Sequence, residues 1–181
     1  MKFKIFLAGS VPKGDSERKQ WTDWKTDYKK ILSQFDNLEF LDGDTWKDDT
    51  KPFLLFGHAV NLIKTADIVI VNAEKKIGNG IGVGTAQEII VAKYFSRPVI
   101  TVLPKNTHHR RSNIEFNGTM ISDWISPFLL STSDLVVETI DGSLRWIKEY
   151  IENPKSKKIK DINIIDDAIE AYLKSESNNE N

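Results

Sequence analysis

The sequence predicts an α/β fold, a parallel sheet of about five strands flanked by helices. Three observations carry this expectation. Strand-type and helix-type patterns alternate along most of the chain. Two near-continuous apolar runs, Ile68 to Val71 and Val99 to Leu103, have the composition of central strands buried on both faces. Between them lies a glycine-rich strand-to-helix turn, Gly82-Val83-Gly84-Thr85-Ala86-Gln87-Glu88. Such a turn lets backbone N–H groups approach a ligand at the positive end of a helix.

The first strand is Lys4 to Ala8, ended by Gly9 and Ser10. After the loop Gly9 to Asp15, a helix is expected to begin near Ser16. Trp21, Trp24, Tyr28, Ile31, Leu32 and Phe35 then recur at three- and four-residue steps, one apolar face. That spacing assigns the tryptophans to the core rather than to ligand stacking. Leu38 to Leu41 forms a short second strand and opens into an acidic loop from Asp42 to Asp49. A helix over Phe53 to Lys64 precedes the first apolar run. Another, Ile89 to Phe95, follows the glycine turn, and Pro98 suits the start of the next strand. Leu135 to Val137 reads as a further strand, with a helix from Gly142 to Ile151. Asn153-Pro154 and the lysines after it mark a boundary. Residues 1–152 are thus expected to form the α/β domain. Residues 153–181 are expected to hold a linker, a short helix from Ile164 to Leu173 and a disordered polar tail from Ser175.

Composition narrows the function. The 181 residues suit one domain of ordinary size, and 40% apolar with 28% charged residues is typical of a soluble globular chain. A formal net charge of -1 supplies no field for nucleic acid or acidic membranes. Without cysteine, disulfides, thiolate nucleophiles and zinc-thiolate sites are excluded, which fits a cytoplasmic location. The apolar run at the N-terminus is too short for a signal peptide, and no run is long enough to span a membrane.

In an open parallel sheet, ligands gather at the carboxyl ends of the strands. That rule brings together three loops, Gly9 to Asp15, Asp42 to Lys51 and Asn72 to Glu88, with Glu88 facing their middle. A positioned, ionised carboxylate beside a ligand-cradling turn suits nucleophilic attack on a sugar. The alternative is a solvated glutamate that only complements the helix dipole. Gly9, Ser10, Gly82, Gly84 and Thr85 belong to the cradle. Asp44 or Trp46 would contact the sugar or stack on a base. The acidic loop lacks the order of an EF-hand, so calcium is not expected. Asp67 opens a strand at the opposite end of the sheet, which gives it a structural role. The segment Pro104 to Asn113 is basic. Arg110 and Arg111 are candidates to grip a phosphate, with Lys105 as a point charge, and His108 or His109 to act as general acid. A solvated basic loop is the other reading. No metal or other cofactor is expected.

At these residues the chain resembles the nucleoside 2-deoxyribosyltransferase-like family, which includes the deoxynucleoside 5′-monophosphate N-glycosidases. The similar pieces are Lys4 to Ser10, Ala66 to Val71, Gly84-Thr85-Ala86-Gln87-Glu88-Ile89 with Ala92, and Arg97-Pro98-Val99-Ile100. They fall in the family's order over roughly the first hundred residues. The resemblance implies a flavodoxin-like Rossmann fold and a glutamate nucleophile at Glu88. It implies cleavage of an N-glycosidic bond, the sugar passing to water or to a second base. It also implies a small-molecule nucleoside or nucleotide partner and a homodimer or higher homo-oligomer. For the interface, Trp124 to Leu130 is a candidate, or else interior packing. The chain departs from the family at Phe6, where tyrosine is frequent, at Ala59, where aspartate is usual, and at Gly82. His58, beside Ala59, then becomes the candidate general acid, with His108 or His109 as alternatives. Two other readings stand beside this one. A lysine-decarboxylase-like nucleotide phosphoribohydrolase is the first, although the Pro-Gly-Gly usual there is missing. A non-catalytic nucleotide sensor is the second.

Overall fold

The computed structural model describes residues 2–21, 23–43, 50–74 and 81–179. Its main sheet contains β1 (Phe3–Ala8), β2 (Leu38–Leu41), β3 (Ile68–Asn72), β4 (Val99–Val102) and β7 (Leu135–Val137). The spatial order is β2-β1-β3-β4-β7, and every neighbouring pair is parallel. The register sets Ile5 beside Ile68, Val69 beside Val99, and Ile100 beside Leu135. The five strands therefore follow the doubly wound order in which strand succession reverses between β1 and β3.

Alternation along the central strands builds two cores. Phe6, Ala8, Val69, Val71 and Val99 face one way, onto Ile63 of α3 (Pro52–Thr65) and onto Ile89 and Ala92 of α4 (Val83–Tyr94). Ile5, Leu7, Ile68, Ile70 and Ile100 face the other way. They meet Trp24, Tyr28 and Leu32 of α2 (Trp24–Leu32) and Ile147 of α6 (Leu144–Glu152). Of the two tryptophans expected in the core, Trp24 is buried and Trp21 is half-buried against the same cluster. Asp67 has the structural role expected of it, since its carboxylate accepts the Lys4 backbone N–H at 2.8 Å and ties β3 to β1. Among the described residues, no helix is long and apolar enough to cross a membrane.

Several elements differ from expectation. The helix expected from Ser16 through Phe35 is two pieces, α1 (Gly14–Arg18) and α2. Asp23 accounts for the break, because its side chain accepts the Lys25 N–H and the Thr26 hydroxyl and so starts a new helix. The basic segment after β4 is a loop only as far as His109. It enters an antiparallel hairpin, β5 (Arg110–Phe116) and β6 (Thr119–Ile125). Asn117 and Gly118 form its two-residue turn, both at positive φ, 48° and 75°, as a type I′ turn requires. The stretch Trp124 to Leu130 is divided between β6 and α5 (Pro127–Thr132), with Leu129 inside and Phe128 outside.

The boundary placed at residue 152 is bridged by bonds. Lys93, fully buried on α4, donates to the Asp134 carboxylate and to the carbonyls of Arg97 and Lys160. Asp134 also accepts the backbone N–H of Val99 and of Lys160, each at 2.7 Å. The Lys160 ammonium caps the carbonyls of Leu130 and Ser133. Beyond this clasp, α7 (Ile164–Asn179) runs past the expected end at Leu173 and takes in Ser175 to Asn179 of the tail expected to be disordered.

Candidate active site

A cavity of about 310 Å³ opens at the carboxyl ends of β1 and β2, between α3 and α4. Phe6 and Gly9 reach it from β1 and its exit, Lys25 from α2, and Gly43 from beyond β2. From α3 come Leu55, Phe56, His58 and Ala59; from α4 come Gly84, Gln87, Glu88 and Val91. Described residues from each of the three loops expected to converge line the cavity: Gly9 and Val11, Gly43, and Gly84 with Glu88. Glu88, His58, Gly9 and Gly84 share this one space.

Local structure explains each placement. Gly9 must be glycine, because a Cβ there would fall 2.6 Å from Cζ2 of Trp24 and 3.2 Å from Cβ of Asn72. The indole Nε1 of Trp24 in turn donates to the Ser10 carbonyl at 2.9 Å, which pins the loop leaving β1. Ser10 thus contributes its backbone to the loop's structure. The glycines of the α4 turn act differently. Gly82 is the N-cap in extended conformation, and a Cβ at Gly82 or Gly84 would meet nothing within 4 Å. At Gly84 the missing side chain keeps the cavity wall low. Thr85 is buried and takes no part in the lining.

Helix α4 begins at Val83, earlier than expected, so half-buried Glu88 falls in its second turn rather than its first. The dipole's effect is concentrated in the first turn, which leaves it little influence on Glu88. What places the carboxylate at the cavity is the helical face it shares with Gly84 and Val91, at four- and three-residue spacing.

The other predicted residues lie elsewhere. Arg110 does not reach the cavity. Its guanidinium holds Asp123 across the hairpin through two bonds, Nε to Oδ1 at 2.9 Å and Nη2 to Oδ2 at 2.7 Å. It also donates to the Leu103 carbonyl at 3.0 Å. A phosphate grip by Arg110 is thereby replaced by an anchor that fixes the hairpin to the end of β4. Arg111 and His108 line a separate, open cleft of about 420 Å³ with Asn106, Thr107 and Ser112. His109 accepts the Ile81 N–H on Nε2 at 3.1 Å, directly before the N-cap of α4. Burial, and then neighbouring His108, push its pKa below the ordinary histidine value, which keeps that nitrogen an acceptor at neutral pH. His109 is therefore a strut between hairpin and glycine turn. Asp44, Trp46, Asp48 and Asp49 lie outside the described residues. Among the described residues, no group of three or more His, Asp or Glu is placed to hold a metal ion.

Lys25 is the charged residue of the cavity wall that sequence reasoning missed. It follows Trp24 in the chain, and no motif marks it.

The Arg110–Asp123 pair has a pH signature. Hydrogen bonding to the guanidinium holds the Asp123 carboxyl below the usual carboxylate range. The pair thus supports the hairpin fully above the unfolded value, near pH 4, and loses that contribution as pH falls through the lower folded value. Acid titration followed by Trp124 fluorescence should show a transition below about pH 4 that Asp123→Asn abolishes. The same transition in both proteins would assign it to another group.

By sequence alone the chain matches no family model and no curated protein. Solved structures do resemble it. A conserved protein from Enterococcus faecalis V583 superposes with a TM-score of 0.55 at 15% identity, over 82% of this chain and 99% of that one. The 2-deoxyribosyltransferase of Leishmania mexicana gives 0.53 at 13% identity, over 83% and 98%. That of Bacillus psychrosaccharolyticus gives 0.49 at 14%, over 77% and 88%. The chain shares its α/β fold with the Leishmania mexicana enzyme, and carries a hairpin between its last two sheet strands.

Proposed function

We propose that this protein is an enzyme that cleaves or transfers at the N-glycosidic bond of a nucleoside or nucleoside 5′-monophosphate, with Glu88 as nucleophile. One observation carries the reading. Glu88 lines a cavity at the carboxyl edge of the sheet together with His58, in a fold shared with a 2-deoxyribosyltransferase. The cavity is largely apolar and of a size to seat a base and a sugar. Attack by the Glu88 carboxylate on the anomeric carbon forms a glycosyl ester while the base departs with the bonding electrons. His58 supplies the proton that neutralises the leaving nitrogen. Water or a second base then attacks the same carbon, gives its proton back to His58 and releases Glu88, so configuration is retained.

The partner is a small cytoplasmic nucleoside or nucleotide, and the protein acts as a homodimer or higher homo-oligomer. Helix α3 supports the latter. It is apolar nearly all round, yet Phe53, Leu54 and Phe56 are exposed, whereas helices of that composition are ordinarily covered. A nucleotide sensor on the same fold is favoured by Phe6 and Ala59, which bring no hydroxyl or carboxylate to the cavity wall. Incubation with a panel of nucleosides and 5′-monophosphates, followed by chromatography for free base, decides between them. Base release from at least one substrate is expected. Tight binding without release would establish the sensor.

A further inference from the structure

We propose that Lys25 is the anion-recognition residue of the cavity, and that the preferred substrate carries a phosphate on its sugar. This rests on the glycosidic reading for the identity of the sugar, but the recognition argument stands on Lys25 itself.

Lys25 lies in the first turn of α2 and is 4% exposed, yet it forms part of the wall that contains Glu88. Its neighbours in that wall include Phe6, Val11, Leu55 and Phe56. Burying an ammonium beside such groups is costly, and methionine would fill the same volume without that cost. A position that serves only packing has cheaper occupants. The ammonium sits at the ligand end of the sheet, 3.6 Å from Oδ1 of Asp42, the residue directly after β2. The other oxygen of that carboxylate is 3.9 Å from Lys29, so the acid is shared between two lysines.

The backbone beneath Lys25 is held in advance. Its N–H is capped by Asp23, and the adjacent Trp24 is locked by the Ser10 carbonyl and by close contact with Gly9. The arginines that sequence reasoning assigned to phosphate are elsewhere, Arg110 on Asp123 and Arg111 in the open cleft. Among the described residues that line the cavity, Lys25 and His58 are the basic ones. Since His58 is assigned to the leaving base, the charge that meets a phosphate is that of Lys25.

The test compares wild type, Lys25→Met, Lys25→Arg and Asp42→Asn by calorimetric titration. The probes are deoxynucleosides, their 5′-monophosphates and ribose 5-phosphate. Wild type should bind monophosphates more tightly than the matching nucleosides, and Lys25→Met should reduce that ratio by about tenfold or more. Lys25→Arg should recover much of it. Were Lys25 merely a structural partner of Asp42, Lys25→Met and Asp42→Asn would lower the melting temperature together and leave the ratio untouched, which overturns the proposal. A wild type with no preference for the phosphorylated probes overturns it as well. Phosphate preference that depends on Lys25, without base release from any probe, would sink the glycosidic reading and leave the Lys25 assignment intact.

Discussion

Glu88→Gln should abolish base release, lowering turnover by on the order of a thousandfold or more, while the fold persists. The substitution keeps size and removes the negative oxygen that the proposed mechanism uses as nucleophile. Glutamine is as good a helix former as glutamate, and the site is half-buried at the edge of a cavity rather than in either core. Release of free base, measured by chromatography over a long incubation, gives the rate. The circular-dichroism melting curve reports the fold. A variant with more than about a tenth of wild-type turnover would remove Glu88 from the nucleophile's role.

The largest structural effect should come from Asp134→Ala. That carboxylate receives the buried Lys93 ammonium and two backbone N–H groups, from the start of β4 and from Lys160. Deleting it leaves a fully buried lysine whose charged form burial already disfavours, so its pKa lies below the ordinary value. Removing one partner of a buried pair typically costs about 3–5 kcal/mol. At this chain length that lowers the melting temperature by roughly 6–20 °C. The double replacement Lys93→Met with Asp134→Leu should recover part of the loss, because no charge is then left buried alone. A change of less than about 1 kcal/mol in Asp134→Ala would show that the clasp contributes little.

The central sheet was legible because its strands carry their own signal. Ile68 to Val71 and Val99 to Leu103 are apolar on both faces, and only a covered parallel strand asks for that. The convergence of Gly9, Gly84 and Glu88 followed from the rule on carboxyl ends together with the order of the loops, whereas His58, inside α3, was reached only through the resemblance at Ala59. Periodicity failed where a polar side chain overrode it, as when Asp23 restarted the helix inside an unbroken apolar face. The hairpin was written in the sequence as Asn117-Gly118, but its strands mix polar residues on both faces and the basic cluster drew attention first. Arg110 looked free because its partner, Asp123, becomes a neighbour only once the hairpin has formed. Lys25 was invisible for a similar reason, since a lysine beside a tryptophan acquires meaning only from the cavity it borders.

The hairpin has two ends of unequal consequence for evolution and for engineering. At its root, Arg110 is bonded to the end of β4, and His109 holds the Ile81 amide that precedes α4. At its tip, a two-residue turn is flanked by exposed Phe116 and Met120. Mutations that lengthen or recolour the tip stay local, as insertions at exposed turns usually do. A change at the root travels through one imidazole to Ile81 and from there to α4. The tip is thus where a reporter peptide can be grafted, and the root is where drift would be felt at Glu88.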